Sequence, residues 1–421
     1  MSVGEITGEQ LEEDLDLEQG MPLRINYDLK QRKNMNIDIN NKYNPYLDFD
    51  LYDTKKDFHK ISYNEETNNY SPINEINTVT PQKNSYMFNN FSFYLYNTSA
   101  KKNLCLSPFN LLQILAPLYR GSKGQTHDEF RKLFNFIDKN TLFDDVKRIS
   151  MNYKKLKNIN YYNTIALPNN QIINPSFVRF SDVLTAIVTY DPNNIKVNII
   201  NQEIYENTNI KDNLEMKYFS NRCSLMLINT FSVSFTSQYP TYRFSDKFYY
   251  PQGVKLINYL CLKNVTLPFY EDNNIKYLEI IGLNRLSLCI LASNNNSLPH
   301  LHNDIYKYIT TQAQKKEFST VIIPEINQLS KFDTCKVLKS MQLDTLFNSM
   351  DISDICPIPK HLKVSNAFHT CQIKSNNNKS KREFVKTIGA SKTSYVVNHP
   401  FVYFIRDTEE DMVLLIGNYL L

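Results

Sequence analysis

The chain has no C-x-x-C pair, no Lys/Arg block interleaved with aromatics, and only nine glycines among 421 residues. Each absence removes a class of function. Seven cysteines (Cys105, Cys223, Cys261, Cys289, Cys335, Cys356 and Cys371) are scattered and odd in number, which argues against a zinc site or a disulfide framework. Several lie in apolar runs such as 104–106 and 288–290, where a buried free thiol is expected. A formal charge of +4 without a clustered basic footprint leaves no case for a nucleic-acid partner. No stretch is long and apolar enough to cross a bilayer, so no membrane partner is expected. The motifs G-x-S-x-G and H-E-x-x-H and paired carboxylates are missing, so neither an enzyme nor a cofactor is expected. His300 and His302 could offer two ligands from one strand face, but no third is in view, so no metal is expected. The segment 121–126, Gly-Ser-Lys-Gly-Gln-Thr, is no phosphate loop: its lysine precedes the second glycine, and a helix rather than a strand leads into it.

What is present is a hydrophobic fraction of 42%, enough for a packed core in one large domain or two ordinary ones. Residues 1–20 carry seven acidic side chains (Glu5, Glu9, Glu12, Glu13, Asp14, Asp16, Glu18) and no basic one. Residues 21–83 are rich in Asn, Asp, Lys and Tyr with little apolar periodicity, and such a segment buries too little surface to offset its ordering entropy. Residues 1–83 therefore read as a low-complexity, largely disordered extension, alternatively a docking tail for a protein partner. The bias toward Asn, Ile, Lys and Tyr points to an AT-rich coding genome, such as that of a large DNA virus. The N-terminus lacks the basic and apolar regions of a secretory signal, so an intracellular or virion-associated location is expected.

From Ser85 onward the pattern is mixed. Phe88, Phe91 and Leu95 fall on one helical face. Ser107-Pro108 reads as a helix start, with Pro117 expected to kink or end that helix. Thr126 and Glu129 have the form of a capping box for a helix over 128–134. Leu225–Thr230, Asn264–Leu267, Leu286–Leu291 and Thr320–Ile323 are short apolar runs that read as strands. Phe332, Cys335, Leu338 and Leu343 return to near-helical spacing. Phe401–Arg406 and Met412–Ile416, apolar on both faces, read as a buried terminal hairpin. Lys147, Arg148, Lys154, Lys155 and Lys157 read as a solvated helix face, with a polyanion site as the sharper alternative.

Several ordered blocks resemble those of one known family. Residues 103–112 and 118–126 resemble its buried first strand and second helix. Ile200, Asn201, Glu206, Thr208, Ile210 and Lys211 resemble its "IN-x-W-V-E-x-x-T-x-x-x-I" segment. Residues 225–231 resemble a strand of its main sheet, and 321–325 with 338–347 resemble a strand followed by the "L-x-x-L-G-M-x-D-x-F" helix. Residues 362–369 resemble the strand that leads into the reactive loop, and 399–407 with 414–417 resemble the terminal hairpin.

Together these blocks resemble the serpin superfamily, the fold of serine-protease inhibitors, and the resemblance implies an α+β serpin domain over 84–421. It brings a large central mixed sheet, smaller sheets, eight or nine helices and an exposed reactive-centre loop at about 377–397. It implies inhibition of a serine or cysteine protease by loop cleavage and insertion of the cut loop as a new central strand. Ser107, Asn110, Asn229 and His369 match the family's polar cluster beneath the sheet. Asn377, Asn378, Lys379, Ser380, Lys381 and Arg382 fall in the hinge, where inhibitory members carry a glycine, a small hydroxyl residue and then mostly alanines. Here Lys379 takes the glycine's place, and Arg382 takes a position that turns inward on insertion. Phe384 follows where alanine normally fits. The loop is also about four residues shorter than usual, some 13 Å less reach. Counting from the hinge puts the scissile bond near Thr393-Ser394; counting back from Phe401 puts it near Gly389-Ala390; Lys386 and Lys392 would suit a trypsin-like enzyme. The alternative is a non-inhibitory serpin that serves as a binding or structural module.

Overall fold

A computed structural model describes residues 81–99, 103–192, 194–211, 214–215, 224–299, 301–302, 305–357, 362–376 and 393–420, without the side chains of 81–84. The proposed extension 1–83 thus lies almost wholly outside the described residues, as do the hinge Asn377–Arg382 and the loop residues Lys386, Gly389, Ala390 and Lys392. Helix α1 (Pro81–Ser99) opens the described chain and buries Phe88, Phe91 and Leu95, the face its spacing predicts.

Two sheets organise the rest. The five-stranded one contains β2 (Ile159–Pro168), β3 (Ala186–Tyr190), β4 (Leu225–Thr236), β10 (Asn327–Asp333) and β11 (Val364–Asn376), in the order β10-β11-β4-β2-β3. It is mixed: β10 is antiparallel to β11, β11 parallel to β4, β4 antiparallel to β2, and β2 parallel to β3. The nine-stranded sheet runs from β1 (Cys105–Leu106) through β14 (Met412–Tyr419), β13 (Phe401–Asp407), β8 (Leu286–Ser293), β7 (Ile275–Ile281), β6 (Gly253–Glu271) and β9 (Gln314–Pro324) to β12 (Ser394–Val396). Strand β5 (Tyr242–Tyr250) pairs with β6 off that path.

Nine helices occur among the described residues. Helix α2 (Pro108–Gly121) lies beneath the five-stranded sheet and is buried almost end to end. Helix α6 (Val197–Thr208) covers the opposite face, where Val197, Ile204 and Leu214 pack on Ile228. Strand β4 is therefore buried on both sides, which is why it reads as a continuous apolar run instead of an alternating one. The terminal hairpin forms as expected: β13 sits between β8 and β14, and every residue but one of each strand is buried.

Three local expectations need correction. Pro117 does not end α2, which runs four residues beyond it; the burial of nearly the whole helix outweighs the roughly 3 kcal/mol an interior proline costs. The capping box does not form, because α3 (Gly124–Leu133) starts earlier, at Gly124 in the left-handed region (φ 52°). Instead the Thr126 hydroxyl accepts from the Asp351 N–H at 3.0 Å, and the Glu129 carboxylate accepts from the N–H and hydroxyl of Thr345 at 2.9 and 2.7 Å. Two side chains that look like a local cap anchor a distant segment. Phe332 belongs to strand β10, so helical spacing starts only at α8 (Cys335–Ser340).

Candidate functional site

The central feature is the seam between β4 and β11. The two strands are parallel neighbours from Leu225–Val364 at one end to Thr236–Asn376 at the other. Parallel neighbours cannot be joined by a hairpin, and the chain that leaves β11 at Asn376 re-enters the described structure only at Thr393. A segment turning back from Asn376 would run antiparallel to both strands. It could replace one parallel ladder with two antiparallel ones, the better-bonded kind. The seam is thus a place where this sheet could accept another strand without reversing any existing one.

Beneath the seam lies a buried polar chain. Ser107 caps α2, its hydroxyl accepting from the Asn110 N–H at 3.1 Å and donating to the Leu414 carbonyl at 2.7 Å. The Ser107 N–H donates to Nε2 of His369 at 3.0 Å. That bond leaves Nε2 as an acceptor, so the proton sits on Nδ1, which donates to Oδ1 of Asn229, the residue directly opposite His369 across the seam. Asn229 in turn donates to the Asn110 carbonyl and to Oδ1 of Asn163, both at 2.7 Å. Burial lowers the His369 pKa to about 3, so the imidazole is neutral, as its two bonds require. All four residues expected in the cluster meet here. Asn110 contributes through its backbone, however, since both polar atoms of its side chain are buried without a protein partner.

The chain continues further than expected. Asn163 on β2 donates to Gln113 at 3.2 Å and to the Leu184 carbonyl at 3.1 Å, and Gln113 donates to Ser150 of α4 (Lys139–Tyr153) at 2.8 Å. Gln113 carried a signal, as a lone amide in the otherwise apolar run 111–118; Asn163, among Asn158, Asn160 and Thr164, carried none. A buried polar side chain in such a run must find a partner, so it marks a network.

The exit from the loop is also anchored. The Thr393 hydroxyl accepts from the Ser319 N–H at 3.3 Å, and Ser394 opens β12 opposite Thr320 of β9. Tyr395 is buried against Phe269, ring centroids 5.6 Å apart. Of the basic run on α4 and beyond, Arg148 donates to Glu410 at 2.8 Å, while Lys147 lies 4.5 Å from the Phe180 ring centre and donates to the Phe180 carbonyl at 3.2 Å. Both of these cations are therefore held locally. His300 lies outside the described residues.

The comparisons agree with this architecture. A family model described as Serpin (serine protease inhibitor) matches residues 87–420. Antichymotrypsin-2 of Bombyx mori is 22% identical over 355 residues, which cover 75% of this chain and 93% of that protein. Serine proteinase inhibitor 1 of Vaccinia virus (strain Copenhagen) is 25% identical over 353 residues, covering 76% of this chain and 95% of that protein. The crystal structure of native protease nexin-1 with heparin superposes with a TM-score of 0.72 at 17% identity, over 80% of this chain and 99% of that one. A two-sheet α+β core, a latched parallel seam and a family match across most of its length make this chain a member of the serpin family.

Proposed function

We propose that the chain inhibits a serine or cysteine endopeptidase, offering the segment 377–392 as bait and drawing the cut segment between β4 and β11. The observation that carries this reading is the seam: two parallel neighbours, closed along their length and latched by neutral hydrogen-bonding groups, with the bait leaving from the end of one of them. The inhibitor names of the relatives point the same way.

The anchors favour Gly389-Ala390 as the scissile bond. An endopeptidase needs extended, free chain on both sides of the cut. Thr393-Ser394 falls at the first pair of β12, and Lys392-Thr393 abuts the Thr393 tether, so neither leaves room. A cut after Lys386 frees 377–386; once a turn of about two residues is made, the rest reaches only to about Asn229. A cut after Gly389 carries the strand past the latch. Glycine at that position suits an enzyme with a small primary pocket, of the elastase kind.

Insertion is expected to be slow. The head of the seam holds a cavity of only about 10 Å³, lined mostly by apolar side chains including Phe235, Leu260, Ile280 and Leu288. Burying the Arg382 guanidinium there without a partner costs several kcal/mol, and overpacking by Phe384 about 1–3 kcal/mol. Insertion competes with hydrolysis of the acyl-enzyme, so many molecules should be cleaved as plain substrate.

The test is incubation with elastase-type, trypsin-type and caspase-type proteases. The expected result is an SDS-resistant complex with one of them, a released fragment beginning at Ala390, and a sharp rise in melting temperature after cleavage. A K379G/R382A variant should raise the fraction trapped. Cleavage with no complex and no thermal gain in either protein would overturn the proposal and leave the fold as a binding module.

A further inference from the structure

Cys105 and Cys371 are both fully buried free thiols, and their sulfurs lie 3.4 Å apart. They belong to different sheets: Cys105 is on β1 of the nine-stranded sheet and Cys371 on β11 of the five-stranded one. Their position relative to the latch is specific. Cys105 precedes Ser107 by two residues and Cys371 follows His369 by two, so the thiol pair and the Ser107–His369 hydrogen bond are successive cross-layer contacts of the same two segments. His369 and Cys371, two apart on β11, put their side chains on the same face of that strand, which is why both contacts point into one interlayer space. We propose that Cys105 and Cys371 form a reversible disulfide, a redox latch that fixes β11 to the layer beneath it and keeps His369 seated on Ser107.

The geometry needed is close at hand. The sulfurs must approach by roughly 1.4 Å to reach bonding distance, a shift two χ1 rotations can share. The chemistry balances with a peroxide as the oxidant. One thiolate attacks a peroxide oxygen, giving a sulfenic acid and hydroxide. The second thiol then attacks the sulfenic sulfur and expels water. Two thiols and hydrogen peroxide thus become one disulfide and two waters, the two electrons passing to the peroxide. Burial pushes the Cys371 thiol pKa well up, so the reactive thiolate is scarce while the layers are packed. Oxidation therefore proceeds through transient loosening of this region, and the product shuts off the motion that allowed it. The closed loop is long, joining residues 266 apart, so the bond removes much freedom from the unfolded chain.

The experiment uses the reduced full-length chain and needs no protease, so it stands apart from the inhibitory reading. The chain is warmed to just below its melting point with hydrogen peroxide, alkylated, and digested without reductant. The expected product is a Cys105–Cys371 linked peptide, lighter than its two thiol peptides by the mass of H2 and resolved again by dithiothreitol. The melting temperature should rise by several degrees in the wild type, fall back on reduction, and stay unmoved by peroxide in Cys105→Ala and Cys371→Ala. If either variant fails to fold, the oxidised and reduced wild type still decide the matter. A different pairing, sulfenic or sulfinic products without the link, or a linked protein with no thermal gain would each overturn the proposal.

Discussion

The terminal hairpin β13–β14 and the β4–β11 seam are both buried strand pairs, yet different interactions hold them. The hairpin is apolar on both faces, and its turn is tied down by charges: Arg406 donates to both oxygens of Glu279 at 3.0 Å and to Asp411 at 2.7 and 3.1 Å, while Arg285 reaches Asp407 at 2.7 Å. Parting such strands would expose apolar area with nothing to replace it. The seam carries a row of neutral hydrogen-bonding groups beneath it, which the proposed insertion would have to break and remake. Apolar packing and charge hold the hairpin; a satisfied polar network holds the seam.

The sharpest way to break the comparison is at the hairpin. Arg406→Met keeps the aliphatic volume but leaves the Glu279 carboxylate, 8% exposed, without its cation. Removing one partner of a buried pair costs about 3–5 kcal/mol. The expected outcome is a large drop in melting temperature, with hydrogen exchange accelerated in β13 and β14 first. Exchange rising first in β4 and β11 would mean that the hairpin is not the more permanent pair.

A gentler cut falls on the latch. Asn229→Ala leaves the His369 Nδ1–H, the Asn163 Oδ1 and the Asn110 carbonyl each short of a bond. Orphaned buried groups cost about 1–3 kcal/mol, so a seam destabilised by about 2 kcal/mol should open roughly 30-fold more often. Amide exchange in β4 and β11 is the measurement, and the hairpin should keep its rates.

Much of this contrast could be read from residue order. The hairpin was legible because 401–406 and 412–416 are apolar without alternation, a pattern only a doubly covered strand tolerates. Ser107, Asn229 and His369 were legible through resemblance to the family, and each takes part in the network through its side chain. Gln113 escaped because a lone amide in an apolar run announces a partner without saying which one, and Asn163 because it stands among other polar residues. The Thr126–Glu129 spacing misled for a related reason: a hydroxyl and a carboxylate three apart serve a helix start or a remote strand equally well, and only tertiary packing decides. The cysteine pair was hidden because residues 266 apart in sequence carry no mark of being neighbours.

The smallest effect distinguishes the two regions by pH. His369 titrates near 6.5 in the unfolded chain but only near 3 when buried. Below pH 6.5 the unfolded state therefore takes up a proton that the folded state refuses, so the stability contributed by neutral burial is complete above that pH and drains away as pH falls toward 3. The slope is half-developed at pH 6.5 and approaches about 1.4 kcal/mol per pH unit below it, hence about 1 kcal/mol lost between pH 6.5 and 5.5. Carboxylates contribute their own dependence, so the informative quantity is the difference between the wild type and His369→Gln, which keeps an acceptor and a donor but does not titrate. The unfolding free energies from urea titration should run apart by that amount over this interval, with the wild type the one that loses stability on acidification. Parallel free energies would mean that His369 is charged in the folded chain, and the bond from the Ser107 N–H to Nε2 could then not exist.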